Sequence, residues 1–478
     1  MIAIEQKPKY QLISAQSPII FTVFDGPTIA SKVKVKYVAD IRVSNQVSGL
    51  STSVAKVKVS PNDTGRGIFD FSPIVHNFVS PDYLGGVVHN SNNNNFSSYN
   101  TVPFSDSTPH SIHQIDKFST NRRSCRFLQI EFSVEGAGTV TDAVVDQGTT
   151  ETSLDYVIYN GILDTTDILN IDNSGDFGYN IDHAGFILND TDGKFLTNAP
   201  TTQYIRDNDY QTLAYFSQYD EDFVVGAGGT HPSIHKIKIE FFDSSGTTLS
   251  TLNRTATASN GGHAGNMNDS NTRLQFVGVG PGNITGAGST VPATWSYYTV
   301  QAIALDSTSS DTVVSKTYTF EKMSDDCKGY ENIRLTWINK YGTWDYYNFN
   351  KKSVRTLISD RVQYTQLEGT WNESKFKLHD HLGGTKMYRN KVSENISINT
   401  DYITETEASW LSDLFMSTDV YIVNQRSPDS SDEGYNRKYI TPVILTTSDY
   451  IKKTVANDKL IQYNIELTVS RNRQTMKV

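Results

Sequence analysis

The residues "KVKVKYVADIRV" (32–43) set Val33, Val35, Tyr37, Ala39, Ile41 and Val43 against Lys34, Lys36, Asp40 and Arg42. A period of two sustained over that length marks a strand with one buried and one solvated face. It argues against a helix, whose apolar stripe recurs every three or four residues. The same grammar returns in "VAKVKV" (54–59), which stops at the turn sequence Ser60-Pro61-Asn62-Asp63. It returns again in "RFLQIEFSVEG" (126–136), where Leu128, Ile130, Phe132 and Val134 alternate with polar residues. With "PIIFTVFDG" upstream and "GIFDF" after the turn, these runs predict a β-sandwich-like domain over residues 1–149. Ser72-Pro73 is expected to open a short helix over Ile74, Val75 and Phe78, with Ser72 as its N-cap. An Asn/Ser-rich insertion at 89–120 has no period and reads as an exposed loop.

A chain of 478 residues is too long for one ordinary core. A second β-domain is expected over 150–326, from strand signals such as "DYVIYNGIL", "HKIKIEFFDSSGTTL", "RLQFVGV" and "WSYYTVQAIAL". "FILNDTDGKFL" reads as a hairpin with an Asp-Gly turn. Gly/Asn-rich stretches at 257–272 and 278–291 are expected as surface loops, because buried loops strand backbone polar groups. A C-terminal β-rich domain over 327–478 carries one amphipathic helix near 404–416. There Thr404 and Glu407 form a capping box, Ile403 and Ala408 sit at the staple positions, and Trp410, Leu411, Leu414 and Phe415 make the apolar face. The fold class expected is mainly β and multi-domain, with antiparallel β-sandwich-like domains followed by this helix-bearing β-rich one.

Charge and motifs narrow the function. A net charge of −10, with basic residues dense only around Arg122, Arg123 and Arg126, argues against nucleic acid as a partner. No run of about 18 apolar residues exists, so no membrane insertion by a helix is expected. "MIAIEQKPKYQ" lacks the pattern of a secretory signal, and folding in a cytoplasm is expected. Cys125 and Cys327 have no ligand spacing and read as reduced, partly buried thiols.

His379-Asp380-His381 places two imidazoles on one face of a strand, yet spacing suggests no further ligand. His110-x-x-His113 and His231-x-x-x-His235 share that weakness. Asp190-Thr191-Asp192-Gly193 resembles the opening of a calcium loop, but Thr201 stands where the twelfth-position carboxylate belongs. "GAGG" (226–229) and "GVGPGNITGAG" (278–288) lack the Lys-Ser/Thr and strand-to-helix context of phosphate cradles and read as loops. No catalytic residue, cofactor-binding residue or metal ligand is assigned, no cofactor is expected, and the chain is read as a non-enzyme.

The aromatics remain. Trp337, Trp344, Trp371 and Trp410 crowd into 337–410, and "ENIRLTWINKYGTWDYYNFN" (331–350) reads as a hairpin around a loose "NKYG" turn. Trp344, Tyr346 and Asn348 share one face of the returning strand, opposite Asp345, Tyr347 and Phe349. One face can pack inward while the other stays available. Core packing, an assembly interface and a sugar platform are all open, with Trp344, Tyr346 and Tyr347 as the candidate interface residues.

"CKGYENIRLTWINKYGTWDYYNF", "ETEASWLSDLFMSTDVYIV", "YITPVILT" and "NDKLIQYNIELTVSRN" together resemble a segment of tail or baseplate proteins of tailed bacteriophages. "SPIIFTVFDG" with "VKVSPNDTGRGIFDFSPIVHNFVSPD" is similar to their N-terminal part, and "GKFLTNAP" to a stretch in their middle. The resemblance implies a virion structural protein, folded in the host cytoplasm. Its partners would be other virion proteins and further copies of itself in a symmetric assembly. It transfers no catalytic residue. The alternative is a receptor-binding or glycan-binding adhesin that contacts a host-surface glycan or receptor through its long loops.

Overall fold

The computed structural model describes residues 1–8, 12–80, 118–120, 124–162, 168–169, 178–181, 188, 191–216, 234–255, 273–286, 288–305, 310–323, 330–381, 383–423, 440–447, 449 and 461–470. Residues 81–117, the stretches 226–229 and 257–272, Arg122, Arg123, Asp190, His110, His113, His231 and Cys327 lie outside them. The fold is mainly β, built from largely antiparallel sheets, with parallel pairs between Ala3–Pro8 and Gly178–Ile181, Leu12–Ser14 and Tyr156–Tyr159, and Thr202–Ile205 and Tyr318–Lys322.

The predicted first strand forms as Val33–Ser44 and pairs along its length with Cys125–Ala137. The register sets Tyr37 opposite Val134, Ala39 opposite Phe132, Ile41 opposite Ile130 and Val43 opposite Leu128. All eight side chains are buried on one face. Ala55–Val59 and Tyr156–Tyr159 extend this sheet on either side. A five-stranded sheet containing Ala3–Pro8, Ile20–Phe24 and Arg66–Asp70 packs on it. Phe132 meets Phe21 at 5.7 Å and Phe69 at 5.5 Å between ring centroids, so the two inner faces interdigitate. Tyr37 is buried with its hydroxyl satisfied, donating to the Gly65 carbonyl at 2.8 Å and accepting from the Asp25 amide at 2.9 Å.

Three expectations are revised. Tyr156–Tyr159 and Gly178–Ile181 complete the N-terminal sheets, so the first sandwich continues past residue 150. Phe118–Thr120, at the end of the Asn/Ser-rich insertion, is a strand paired with Leu274–Gly278. Ser72 is not an N-cap but the first residue of the helix Ser72–Val75. The Asp70 carboxylate instead accepts from the amides of Ser72 and Ile19.

A second core lies between a six-stranded sheet, in which Ile234–Phe242 and Tyr297–Leu305 are central, and the small sheet of Thr212–Phe216 and Leu274–Gly278. Among the described residues, one compact unit holds Met1–Met323 with Ile338–Asp345, and a second holds Ser324–Trp337 with Tyr346–Asn424 and the C-terminal strands. The seven-stranded sheet runs in the order 344–349, 333–338, 420–423, 440–445, 464–469, 384–399, 354–366. The helix Glu405–Met416 forms as the sequence predicts, with both arms of the capping box made: the Glu407 amide donates to Thr404 Oγ1 at 3.2 Å and the Thr404 amide to Glu407 Oε2 at 2.7 Å. Ile403, Ala408, Trp410, Leu411 and Leu414 are buried. Among the described residues no helix is long and apolar enough to cross a membrane.

Removing the cap tests the helix in isolation. Thr404→Ala is expected to lower unfolding stability by about 1 kcal/mol in urea titration, and Thr404→Ser to restore most of it.

Candidate interaction surface

The aromatic hairpin forms from Ile333–Ile338 and Trp344–Phe349, but it does not present a free face. Trp344 is 6% exposed and Tyr346 3%, and the Arg334 guanidinium lies 5.0 Å over the Tyr346 ring. Tyr347 is half-buried, 4.8 Å from the Phe349 ring and 6.0 Å from that of Trp410, which also meets Trp337 at 5.4 Å. Both faces are covered by the chain itself, and that corrects the assignment of Trp344 and Tyr346 as interface rings.

The "NKYG" turn is not loose. Asn339 Oδ1 accepts from the amides of Tyr341 at 3.0 Å and Thr343 at 3.2 Å, while Asn339 Nδ2 donates to the Leu196 carbonyl at 3.0 Å. The Thr343 hydroxyl reaches the same carbonyl at 2.6 Å, and Thr197 Oγ1 donates to Asp345 Oδ1 at 2.6 Å. Gly342 sits at φ +72° with its α-carbon against the Asn160 carbonyl, where a Cβ would overlap the oxygen.

The stretch 278–291, expected as a surface loop, contains the helix Pro281–Gly286, with Asn283 and Ile284 fully buried. Its polar groups are satisfied from one neighbouring segment. Val279 and Gly280 amides donate to the Gln211 carbonyl at 2.8 and 3.0 Å, and Asn283 Oδ1 accepts from the Gln211 amide at 2.8 Å. That pairing is what makes burial of such a sequence tolerable. Over "GKFL" no strand forms; Phe195 and Leu196 are buried in irregular backbone beyond a turn at 191–192.

His379 and His381 have rings 5.5 Å apart and both are exposed. Among the described residues, no group of three or more His, Cys, Asp and Glu is placed to hold a metal ion. Perturbed ionisable groups are scattered and follow from packing. Burial pushes the Cys125 thiol up to about 12 and the Tyr421 phenol to about 12, and it raises Tyr318 further.

The unassigned surface is elsewhere. Val354–Gln366 and Gly384–Asn399 pair as a long antiparallel ribbon, but only Asn395–Asn399 also pair with Asn464–Val469. From Leu357 to Gln366, and back from Gly384 to Glu394, no third strand pairs with the two among the described residues. Leu357, Met387 and Val392 lie on one face; Ile358, Val362 and Tyr364 lie on the other, with the Tyr388 ring 6.4 Å from Tyr364. All but Val392 are exposed. At the root, Arg355 holds Glu331 through two nitrogens at 2.9 and 2.6 Å and Glu394 through a third at 2.9 Å, which raises its already high pKa.

The tip, 367–381, is ordered by its own contacts. Thr370 Oγ1 accepts from the Lys377 amide at 2.9 Å, Trp371 Nε1 donates to the Glu368 carbonyl at 2.7 Å, and the Trp371 and Phe376 rings lie 5.3 Å apart. Gly369, at φ +96°, leaves room for the Phe376 ring. Leu367 is nonetheless 75% exposed, Trp371 70% and Phe376 58%. The stretch "VQYTQLEGTW" has strand grammar, which by itself does not mark an exposed ribbon. The available signal was apolar residues on both parities, with Leu357 beside Ile358.

These placements separate core from surface by measurement. Trp344→Ala is expected to cost about 3–5 kcal/mol of stability in denaturant unfolding, as for other buried aromatic truncations. Trp371→Ala is expected to change stability by about 1 kcal/mol or less.

No protein-family model and no curated protein matches the chain. Among solved structures it is similar to a Ca2+-stabilised adhesin with which an Antarctic bacterium binds ice, at 8% identity and a TM-score of 0.17 over 98% of each chain. It is also similar to the native conformation of E. coli alpha-2-macroglobulin, at 10% identity and a TM-score of 0.17 over 83% of this chain and 21% of that one. Likeness at that level carries no argument about this chain.

Proposed function

We propose that this chain is a structural component of a tailed-bacteriophage virion, at the tail or baseplate, and that it works through protein–protein contacts in a symmetric assembly. The observation that carries the reading is the ribbon 357–394, which exposes apolar side chains on both faces and ends in an exposed aromatic tip. A two-stranded ribbon is marginal in water on its own, and contiguous exposed apolar surface is what contact sites are made of. The N-terminal, middle and C-terminal segments that resemble phage tail proteins support the same reading.

A receptor-binding adhesin is the second reading, favoured by Trp371 and Phe376 at the tip. Their rings are tilted by 52° to each other, which suits a wedge better than a flat sugar platform.

Mass spectrometry of purified particles of the encoding phage is expected to find the chain in the virion, with antibody label on the tail. Its absence from intact particles would overturn the proposal. On a glycan array the full chain is expected to give no selective signal. A selective signal abolished by Trp371→Ala would replace the structural reading with the adhesin one.

A further inference from the structure

Resting on the assembly reading, we infer that the ribbon 357–394 docks on the body of a second copy of this chain, in a head-to-tail contact. Three observations point to that occupant. The first is charge. Residues 357–394 hold six Lys and Arg against five Asp and Glu, a balance of +1 inside a chain of −10, so the remainder carries −11. The imbalance is concentrated on one face, where Lys386, Arg389 and Lys391 stand with only Asp360 among Ile358, Val362 and Tyr364. Face to face, two such ribbons would repel; against the acidic remainder of another copy, they are attracted.

The second is area. Ten residues per strand at about 3.3 Å, and two strands about 5 Å apart, give a ribbon face on the order of 300 Å². A standard interface takes about 800 Å² from each partner, so both faces and the tip must be covered together. That fits a ribbon received into a neighbour's surface and not one that touches it by a single face.

The third is order without a support. Among the described residues the ribbon continues well beyond its last sheet pairing, Asn395 with Thr468, and its tip is fixed by the Thr370 and Trp371 contacts. The arm is therefore shaped before it binds, and little ordering entropy opposes docking. Because donor (ribbon) and acceptor (body) are different surfaces, the contact is heterologous, and such contacts build closed rings when the rotation closes.

The test uses the full chain and a variant in which residues 358–393 are replaced by Asn-Gly, joining Leu357 to Glu394, which already face each other across the ladder. Circular dichroism and thermal unfolding establish that the shortened chain is folded. In sedimentation velocity the intact chain is expected to self-associate, with affinity falling roughly tenfold between about 0.05 and about 0.5 M NaCl. Arg389→Glu with Lys391→Glu, both exposed, is expected to weaken association by at least tenfold. The shortened chain alone is expected to stay monomeric yet to form a one-to-one complex with the intact chain, because it keeps the acceptor surface.

Association of the shortened chain equal to that of the intact one overturns the inference. So does association of the intact chain with no uptake of the shortened one, which would mean ribbon-to-ribbon contact. An intact chain that stays monomeric but is found in virions also overturns it, while leaving the assembly reading standing with a different virion protein as the ribbon's partner.

Discussion

Every face in this molecule is set by register. In an antiparallel ladder side chains alternate strictly, and a slip of one residue would turn every buried group to the solvent. The pairing of Tyr37 with Val134 and of Ile41 with Ile130 puts two rows of apolar side chains on one side of the sheet, where Phe21, Phe69 and Phe71 close over them. The ladder between 354–366 and 384–399 is as long, with one register shift between Val362 and Gln363, but among the described residues no second sheet closes over most of it. The two regions obey one geometric rule with opposite outcomes: the first ends in a core, the second in uncovered apolar surface.

The polar turn of the aromatic hairpin shows a different device. Asn339, Thr343 and Asp345 are buried, and their hydrogen-bonding groups are met by Leu196, Thr197 and the turn's own amides. A satisfied buried network fixes geometry tightly, because any shift leaves a polar group unpaired at a cost of about 1–3 kcal/mol. Gly342 belongs to the same device: at positive φ and against the Asn160 carbonyl it admits no side chain. These residues specify where the hairpin turns, while Trp337, Tyr347 and Trp410 supply the apolar area.

What could be read in the sequence was whatever depends on local order. The alternation of 32–43 gave a strand, and Thr404 with Glu407 gave the helix start, because pleat and cap are decided within a few residues. What could not be read depends on distant neighbours. "GVGPGNITG" looks like surface until Gln211 is seen accepting its amides. Trp344 and Tyr346 look available until both sides of their strand are seen to be covered. Residues 150–181 look like the start of a new domain until Tyr156–Tyr159 is found beside Cys125–Ala137. The ribbon depends on distant neighbours too: the alternation in "DRVQYTQ" marks a strand but does not say what covers its apolar side chains, and among the described residues no third strand does.

Packing accounts for where the perturbed ionisable groups lie. The Cys125 thiol and the Tyr318 and Tyr421 phenols are shifted by the packing around them, and Arg355 by the two carboxylates that anchor the ribbon's root. Each of these perturbations is explained by the packing around the group. The exposed side chains of the ribbon are the reverse case. Leu357, Val362, Tyr364 and Tyr388 face water and not a core, and a strand pair with no sheet beside it is marginal on its own. This uncovered apolar surface, joined to the fold through the bidentate Arg355–Glu331 pair, is the feature on which the proposed assembly role rests.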